Sequence, residues 1–199
     1  MASISLENVS KSYDGKIILN DINYKIDSGF VALMGESGTG KTTLLRLISG
    51  LEKADSGSIK VEGKIAYVFA ETNLFNSVSV LDNVTCVMNG DKKNNEAVAK
   101  TILDKLGLEN EYKTKPKNLS TGMSQRVSIA RAIASNRDIY LLDEPFRGLD
   151  EKTRGDIMEY LKEFLKDKIV IMVTHDPEEA AFFTDEIYRI DNKSMHKTS

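Results

Sequence analysis

The chain has very little cysteine: Cys86 is the only one among 199 residues. A single cysteine excludes an intramolecular disulfide and fits a protein of the reducing cytosol. Long apolar runs are also missing, since none approaches the roughly 20 residues that a membrane-spanning helix needs. The start, MASISLENVS, has no basic stretch followed by an apolar one, so no secretory signal is expected.

An excess of basic residues is absent as well. The 27 Lys and Arg are outnumbered by 30 Asp and Glu, which gives a net charge of −3. Nucleic-acid-binding proteins usually show a basic excess, so nucleic acid is excluded as a partner. The lysines in YKTKPK and DKKNN are interpreted as solvated loops. Hydrophobic residues make up 41% of the chain, enough for the core of one domain.

Strand-like and helix-like segments alternate along the chain. The strand-like segments are SISLENVSKSY, ILNDINYKI, FVALM, GSIKV, KIAYVF, DIYLLD, IVIMVT and EIYRI. This order predicts an α/β fold with a mostly parallel core sheet and an N-terminal antiparallel part. Three helical segments interrupt this alternation, so we expect a core of residues 1–76 and 132–199 with an inserted helical subdomain at 77–131. The polar tail DNKSMHKTS is expected to fray.

The segment GESGTGKT lies between a buried strand and a helix. It fits the phosphate-binding pattern G-x-x-x-x-G-K-S/T. The glycines allow several N–H groups to point at one anion, and the helix N-terminus adds a favourable dipole. In this interpretation Lys41 reaches the β- and γ-phosphates, and the Thr42 hydroxyl binds Mg²⁺.

Three further motifs follow in a fixed order. The segment NLSTGMSQRVSIARAIA has Ser120 placed to cap a helix and Gly122 leaving room for an anion. An apolar strand then ends in the acids of LLDEP, and VTHD comes later. Together with the phosphate-binding loop, this combination resembles the ATP-binding subunit of ABC transporters over essentially the whole chain. It looks most similar to small importer-type cassettes of the nitrate, sulfonate and taurine group, which implies a phosphate-loop NTPase fold of the ABC type.

The resemblance implies a role for each motif. Asp143 would hold Mg²⁺, Glu144 would be the general base that activates the attacking water, and His175 would contact the γ-phosphate. Asp150 would belong to the D-loop. Tyr13 would stack on adenine, although a tyrosine near a strand end is otherwise usually a packing residue. The ATP-binding set would be Tyr13, Gly35, Glu36, Ser37, Gly38, Thr39, Gly40, Lys41, Thr42 and Thr43.

The same resemblance implies partners. In this family one ATP site is formed by two cassettes, as a homodimer or a heterodimer, and the signature segment acts on the ATP of the other cassette. That segment is Ser120, Thr121, Gly122 and Met123. Transport would require separate polytopic membrane permease subunits and, for an importer, a solute-binding protein. The cassette would then be cytoplasmic and peripheral on the inner face of the membrane.

The sequence departs from the family pattern at three positions. Thr121 and Met123 replace a glycine and the glutamine of LSGGQ, and Ala70 stands where a glutamine usually contacts Mg²⁺ and the attacking water. Slow ATP turnover is expected from this loss. Two alternatives stay open, a soluble ABC ATPase and a nucleotide-dependent regulatory subunit with little turnover. Kinases and GTPases leave the signature segment unexplained.

Overall fold

The computed structural model of the chain describes residues 1–198. In this range the strands and helices are β1 Ser3–Tyr13, β2 Lys16–Ile26, β3 Phe30–Met34, α1 Lys41–Ile48, β4 Ser56–Glu62, β5 Ile65–Val68, α2 Val80–Thr85, α3 Lys92–Lys105, a 3-10 turn Pro116–Asn118, α4 Thr121–Ala134, β6 Ile139–Asp143, α5 Glu151–Leu165, β7 Ile169–Val173, α6 Pro177–Phe183, β8 Ile187–Asp191 and β9 Ser194–Lys197. None of these helices is both long and apolar enough to cross a membrane.

Two sheets organise the strands. A three-stranded sheet has the order β2-β1-β4 and is antiparallel throughout. A six-stranded sheet has the order β5-β6-β7-β3-β8-β9. In it, β6, β7, β3 and β8 run parallel, and β9 pairs antiparallel with β8. The predicted α/β class, with a mostly parallel core sheet and an N-terminal antiparallel part, is confirmed.

The chain divides into two compact units. The first comprises residues 1–67, 138–144 and the part from 166 onward, and the second comprises residues 68–137 and 145–165. In the first unit every residue of β6 and β7 is buried. Continuous apolar strands of this kind are typical of a parallel sheet covered on both faces. Their carboxyl ends lie at one edge of the sheet, next to the end of β3.

The second unit is mostly helical, and its helices begin at side-chain caps. Ser79 and Asp82 form a reciprocal capping box at α2, and Asp91 caps α3. Ser120 caps α4 by accepting a hydrogen bond from the Met123 N–H at 3.2 Å. Helices α2, α3 and α4 pack against one another, so the signature segment starts a helix of this cluster.

One local expectation was wrong, and one helix was missed. The polar tail was expected to fray, but Ser194–Lys197 forms β9, and His196 lies 3.3 Å from the Asp191 carboxylate. Strand pairing satisfies backbone groups whatever the polarity of the side chains, so composition alone misjudged this segment. Helix α6 after VTHD was not predicted, although Asp176 caps it and Pro177 occupies its first turn.

Candidate functional site

The phosphate-binding loop connects β3 to α1. Gly40 immediately precedes α1 with φ +107°, and a Cβ there would lie 2.9 Å from side-chain atoms of Ile18 and Leu19. Gly35 has φ +146°, and a Cβ there would lie 2.6 Å from the Ile190 carbonyl oxygen. Backbone conformation and lack of space therefore both require glycine at these two positions.

Lys41 is bound by its own loop. Its Nζ donates to the carbonyl oxygens of Gly35 and Glu36, each at 2.7 Å, and the residue is 8% exposed. Burial lowers the pKa of Lys41, and the nearby carboxylates of Glu144 and Asp143 oppose this shift. The ammonium group thus lies inside the curve of the loop, where a phosphate would replace the two carbonyls.

Asp143 ends β6 beside this loop. Its side chain is buried, and its Oδ1 has no hydrogen-bond partner among residues 1–198. Burial raises the pKa of the carboxyl group, while the Thr42 hydroxyl and the Lys41 charge lower it. A buried carboxylate oxygen and a hydroxyl are hard donors of the kind that Mg²⁺ takes alongside substrate phosphates and water. These two residues therefore fit a magnesium ion.

Magnesium is also compatible with the small number of protein ligands here. No group of three or more His, Cys, Asp or Glu side chains that could hold a metal occurs in the described part of the chain. Mg²⁺ usually keeps several waters and binds through one or two carboxylates plus phosphates, and Thr42 and Asp143 would be the protein's share of such a set.

Glu144 and His175 meet at the same edge of the sheet. Glu144 adopts a left-handed backbone conformation with φ +48°, and its N–H donates to the Val173 carbonyl at 2.9 Å. His175 follows β7, and its Nδ1 lies 2.8 Å from the Glu144 Oε2. The imidazole is 77% exposed, whereas the Glu144 side chain is 24% exposed. A carboxylate and an imidazole thus flank the phosphate-binding loop within one unit.

A buried pair that sequence reasoning missed fixes the loop carrying His175. The Thr174 hydroxyl donates to the Glu179 Oε2 at 2.5 Å and accepts from the Asp176 N–H at 3.1 Å. Thr174 is fully buried and Glu179 is 8% exposed. The sequence did contain a signal for this pair, because Glu179 is an acid on the apolar side of a helix, four residues after His175.

Tyr13 is the last residue of β1 and belongs to the same unit. Its side chain is 41% exposed. Burial of the phenol and the neighbouring Glu52 raise its pKa, and the Thr43 side chain, in the first turn of α1, lowers it. The ring therefore lies beside the helix that starts at the phosphate-binding loop.

The signature and D-loop residues lie together in the second unit. A Cβ on Gly122 would be 2.6 Å from the Gly148 carbonyl oxygen and 3.3 Å from the Leu149 Cδ2. Asp150 caps α5 through the Thr153 N–H at 3.0 Å, and this hydrogen bond lowers the pKa of Asp150. The missing side chain of Gly122 therefore makes room for a backbone carbonyl of the D-loop.

Ala70 and Glu71 also belong to the second unit, after the end of β5 at Val68. A strand that continued through them would point their side chains to opposite faces. The strand has already ended, however, and both residues lie in a bend, where this alternation does not apply.

Known proteins resemble this chain along nearly its full length. A family model described as ABC transporter matches residues 19–147. An aliphatic sulfonates import ATP-binding protein of Zymomonas mobilis is 39% identical over 95% of this chain and 82% of its own length. A phosphonates import ATP-binding protein of Fusobacterium nucleatum is 36% identical, with 95% and 89% covered. A spermidine/putrescine import ATP-binding protein of Haemophilus influenzae is 38% identical, and the chain spans 54% of it.

Solved structures of ATP-binding cassettes also resemble this chain. A dimeric ATP-binding cassette in a post-hydrolysis state, bound to ADP and Pi, has a TM-score of 0.90 and 31% identity, with 98% of both chains covered. A dimeric bacterial ABC transporter cassette has a TM-score of 0.89 and 32% identity at the same coverage.

Proposed function

The chain belongs to the ABC transporter family, and on that premise we propose that it binds and hydrolyses ATP to power solute import through separate membrane subunits. The observation that carries the proposal is the meeting of a phosphate-binding loop, a buried aspartate and a Glu–His pair at one sheet edge. The relatives named above import both anionic and cationic solutes, so what they share is the nucleotide chemistry.

ATP would be held first by its phosphates. The N–H groups of residues 35–43 and the positive end of α1 favour a polyanion. Lys41 would leave the carbonyls of Gly35 and Glu36 and donate to the β- and γ-phosphates. Mg²⁺, held by Thr42 and Asp143, would neutralise charge on the phosphates when bound.

Hydrolysis would then use the acid that follows Asp143. The Glu144 carboxylate accepts a proton from water as the water oxygen bonds to the γ-phosphorus and the bond to the bridging oxygen breaks. Products are ADP and phosphate. His175 lies 2.8 Å from Glu144, so it can orient that carboxylate and donate to a γ-phosphate oxygen. A positioned base contributes about 10²–10⁴-fold in rate.

Two cassettes, identical or different, would enclose each ATP. Ser120, Thr121, Gly122 and Met123 of one cassette would contact the nucleotide of the other, with Asp150 near the shared interface. The helical subdomain, residues 77–131, would carry this signature segment and dock on a polytopic permease, which would place the cassette peripherally on the inner face of the membrane. A solute-binding protein would deliver the cargo to the opposite face.

Slow turnover is part of the proposal. A methyl group at Ala70 can neither bind Mg²⁺ nor orient water, unlike the glutamine that the family pattern has there. ATP binding would survive because the loop N–H groups, Lys41, Thr42 and Asp143 remain. Slow intrinsic hydrolysis would make the cassette depend on assembly with its permease and its partner cassette.

The proposal is tested with Glu144→Gln, compared with Glu7→Gln, an exposed acid of β1. Phosphate release with Mg-ATP should fall at least about tenfold in the first variant and stay unchanged in the second. Size-exclusion chromatography with ATP should show a dimer that accumulates in Glu144→Gln. Phosphate release that survives this change would remove Glu144 from the role, and failure of the native chain to bind ATP would refute the function.

A complex with a polytopic membrane protein, isolated from the native membrane in mild detergent, tests the transport part. Recovery with soluble partners alone would favour a soluble ABC ATPase.

A further inference from the structure

A lysine lies against the ring of Tyr13. Lys11 is two residues earlier on β1, and its Nζ is 5.2 Å from the centre of the tyrosine ring. A cation within about 6 Å of an aromatic centre, above the ring face, is attracted by the ring's electron density. The ring thus has a charged neighbour on one side, yet 41% of the tyrosine stays exposed.

The ammonium group of Lys11 is fixed by the loop after α1. It donates to the Lys53 carbonyl at 2.9 Å and to the Asp55 carboxylate at 3.2 Å, and it lies 3.4 Å from the Glu52 carboxylate. Its side chain is only 13% exposed. The hydrogen bond from Lys11 to Asp55 holds the pKa of the lysine above its usual value.

Asp55 also holds the strand itself. Its Oδ2 accepts from the Ser12 N–H at 2.7 Å and from the Ser12 hydroxyl at 2.6 Å. The Asp55 carboxylate therefore anchors both Lys11 and Ser12, the residue between Lys11 and Tyr13. The end of β1 is tied to the 52–55 loop on both sides of Ser12.

The charges around Lys11 indicate what it does. Two carboxylates surround one ammonium group, so the cluster of Lys11, Glu52 and Asp55 has no positive charge left for a phosphate. The same ammonium group lies over the ring of Tyr13, whose phenol oxygen interacts with the side chains of Glu52 and Thr43 at the ring's edge. We propose that Lys11 is a positioning residue for the nucleotide base: it holds one face of the Tyr13 ring so that the opposite face is preset for stacking. The inference rests on the proposed ATP-binding function.

The expected energetic effect is that of pre-ordering one side chain. Immobilising a side chain on binding, or losing a partly exposed cation–π contact, corresponds to about a 2- to 10-fold change in affinity. Stacking tolerates different bases because every base has a π-face. Loss of Lys11 should therefore weaken ATP and GTP to a similar extent and leave a ligand without a base unaffected.

The test measures binding of ATP, GTP and inorganic tripolyphosphate to the full chain by isothermal titration calorimetry. Lys11→Met keeps the aliphatic stem and removes the charge, and Lys11→Arg keeps the charge and replaces the ammonium with a planar group that can lie on the ring. Tyr13→Ala removes the ring. Lys60→Met is the matched control, since Lys60 also pairs with a carboxylate in the same sheet, that of Glu62 at 2.8 Å, but is 75% exposed.

Lys11→Met is expected to weaken ATP and GTP about 2- to 10-fold, with tripolyphosphate unchanged and with Lys11→Arg and Lys60→Met near the native chain. In a Tyr13→Ala background, Lys11→Met should have no further effect. An equal loss for tripolyphosphate, a loss that persists without the ring, or no loss for ATP would overturn the inference. If ATP binds but Tyr13→Ala does not weaken it, this inference fails alone; if ATP does not bind the native chain, the proposed function fails.

Discussion

The contact between Gly122 and the D-loop predicts a destabilising effect of a single methyl group. In Gly122→Ala the new Cβ would lie 2.6 Å from the Gly148 carbonyl oxygen, whereas ordinary contacts begin at 3.4 Å, so the backbone must separate by about 0.8 Å. The obstacle is backbone and cannot rotate away. Forcing extra volume into a packed site costs about 1–3 kcal/mol, which exceeds the gain of up to about 1 kcal/mol for replacing glycine in a helix.

A second helical glycine provides the control. Gly155 lies in α5, and a Cβ there would have nothing within 4 Å. Gly155→Ala should therefore stabilise the chain by about 0.5–1 kcal/mol, and the two variants should differ by at least about 1 kcal/mol. In a chain of this length each kcal/mol shifts the melting temperature by about 2–4 °C.

Thermal unfolding by circular dichroism compares the two variants with the native chain, and phosphate release reports on the D-loop. We expect a lower melting temperature and a lower ATPase rate for Gly122→Ala, because Asp150 lies only two residues beyond Gly148. If Gly122→Ala stabilised the chain as much as Gly155→Ala does, the close contact would not exist in solution and the reasoning would be refuted.

Three further results are expected. Glu179→Ala should destabilise the chain by about 1–3 kcal/mol, because the buried Thr174 hydroxyl loses its acceptor, and it should lower kcat more than it changes KM. In the same unfolding and rate measurements, Glu178→Ala, which changes an exposed neighbour, should alter neither stability nor kcat. Ala70→Gln should raise phosphate release severalfold with little change in ATP affinity, and Glu71→Gln, which changes an exposed residue, should leave both unchanged. The opposite pair of results would give the water-orienting role to Glu71. Chelating divalent cations with EDTA should stop phosphate release while titration still detects ATP binding, and unchanged release would argue against a metal at Asp143.

Much of the site could be predicted because its residues lie at the ends of strands. The runs before Asp143 and before His175 are continuous and apolar, so both were expected in a parallel sheet, and parallel neighbours place their carboxyl ends at one edge. The glycine pattern before Lys41 added the loop at that edge. Local sequence therefore determined which motifs would meet.

What the sequence did not reveal depends on contacts between distant segments. Lys11 and Asp55 are 44 residues apart, and nothing in either segment indicates that they pair. The close approach of Gly122 to Gly148 likewise joins two separate motifs, although each motif was recognised by itself. Strand β9 was missed because its partner β8, rather than its own composition, stabilises it.

The hydrogen bonds of Lys41 to Gly35 and Glu36 have a consequence for ligand choice. The loop itself satisfies this cation with two short contacts of 2.7 Å. An incoming anion competes with these carbonyls, and a singly charged one gains little by displacing them. A polyphosphate gains several charge-assisted hydrogen bonds for the two that are given up. The loop therefore favours ligands that carry several adjacent negative charges over small, singly charged anions.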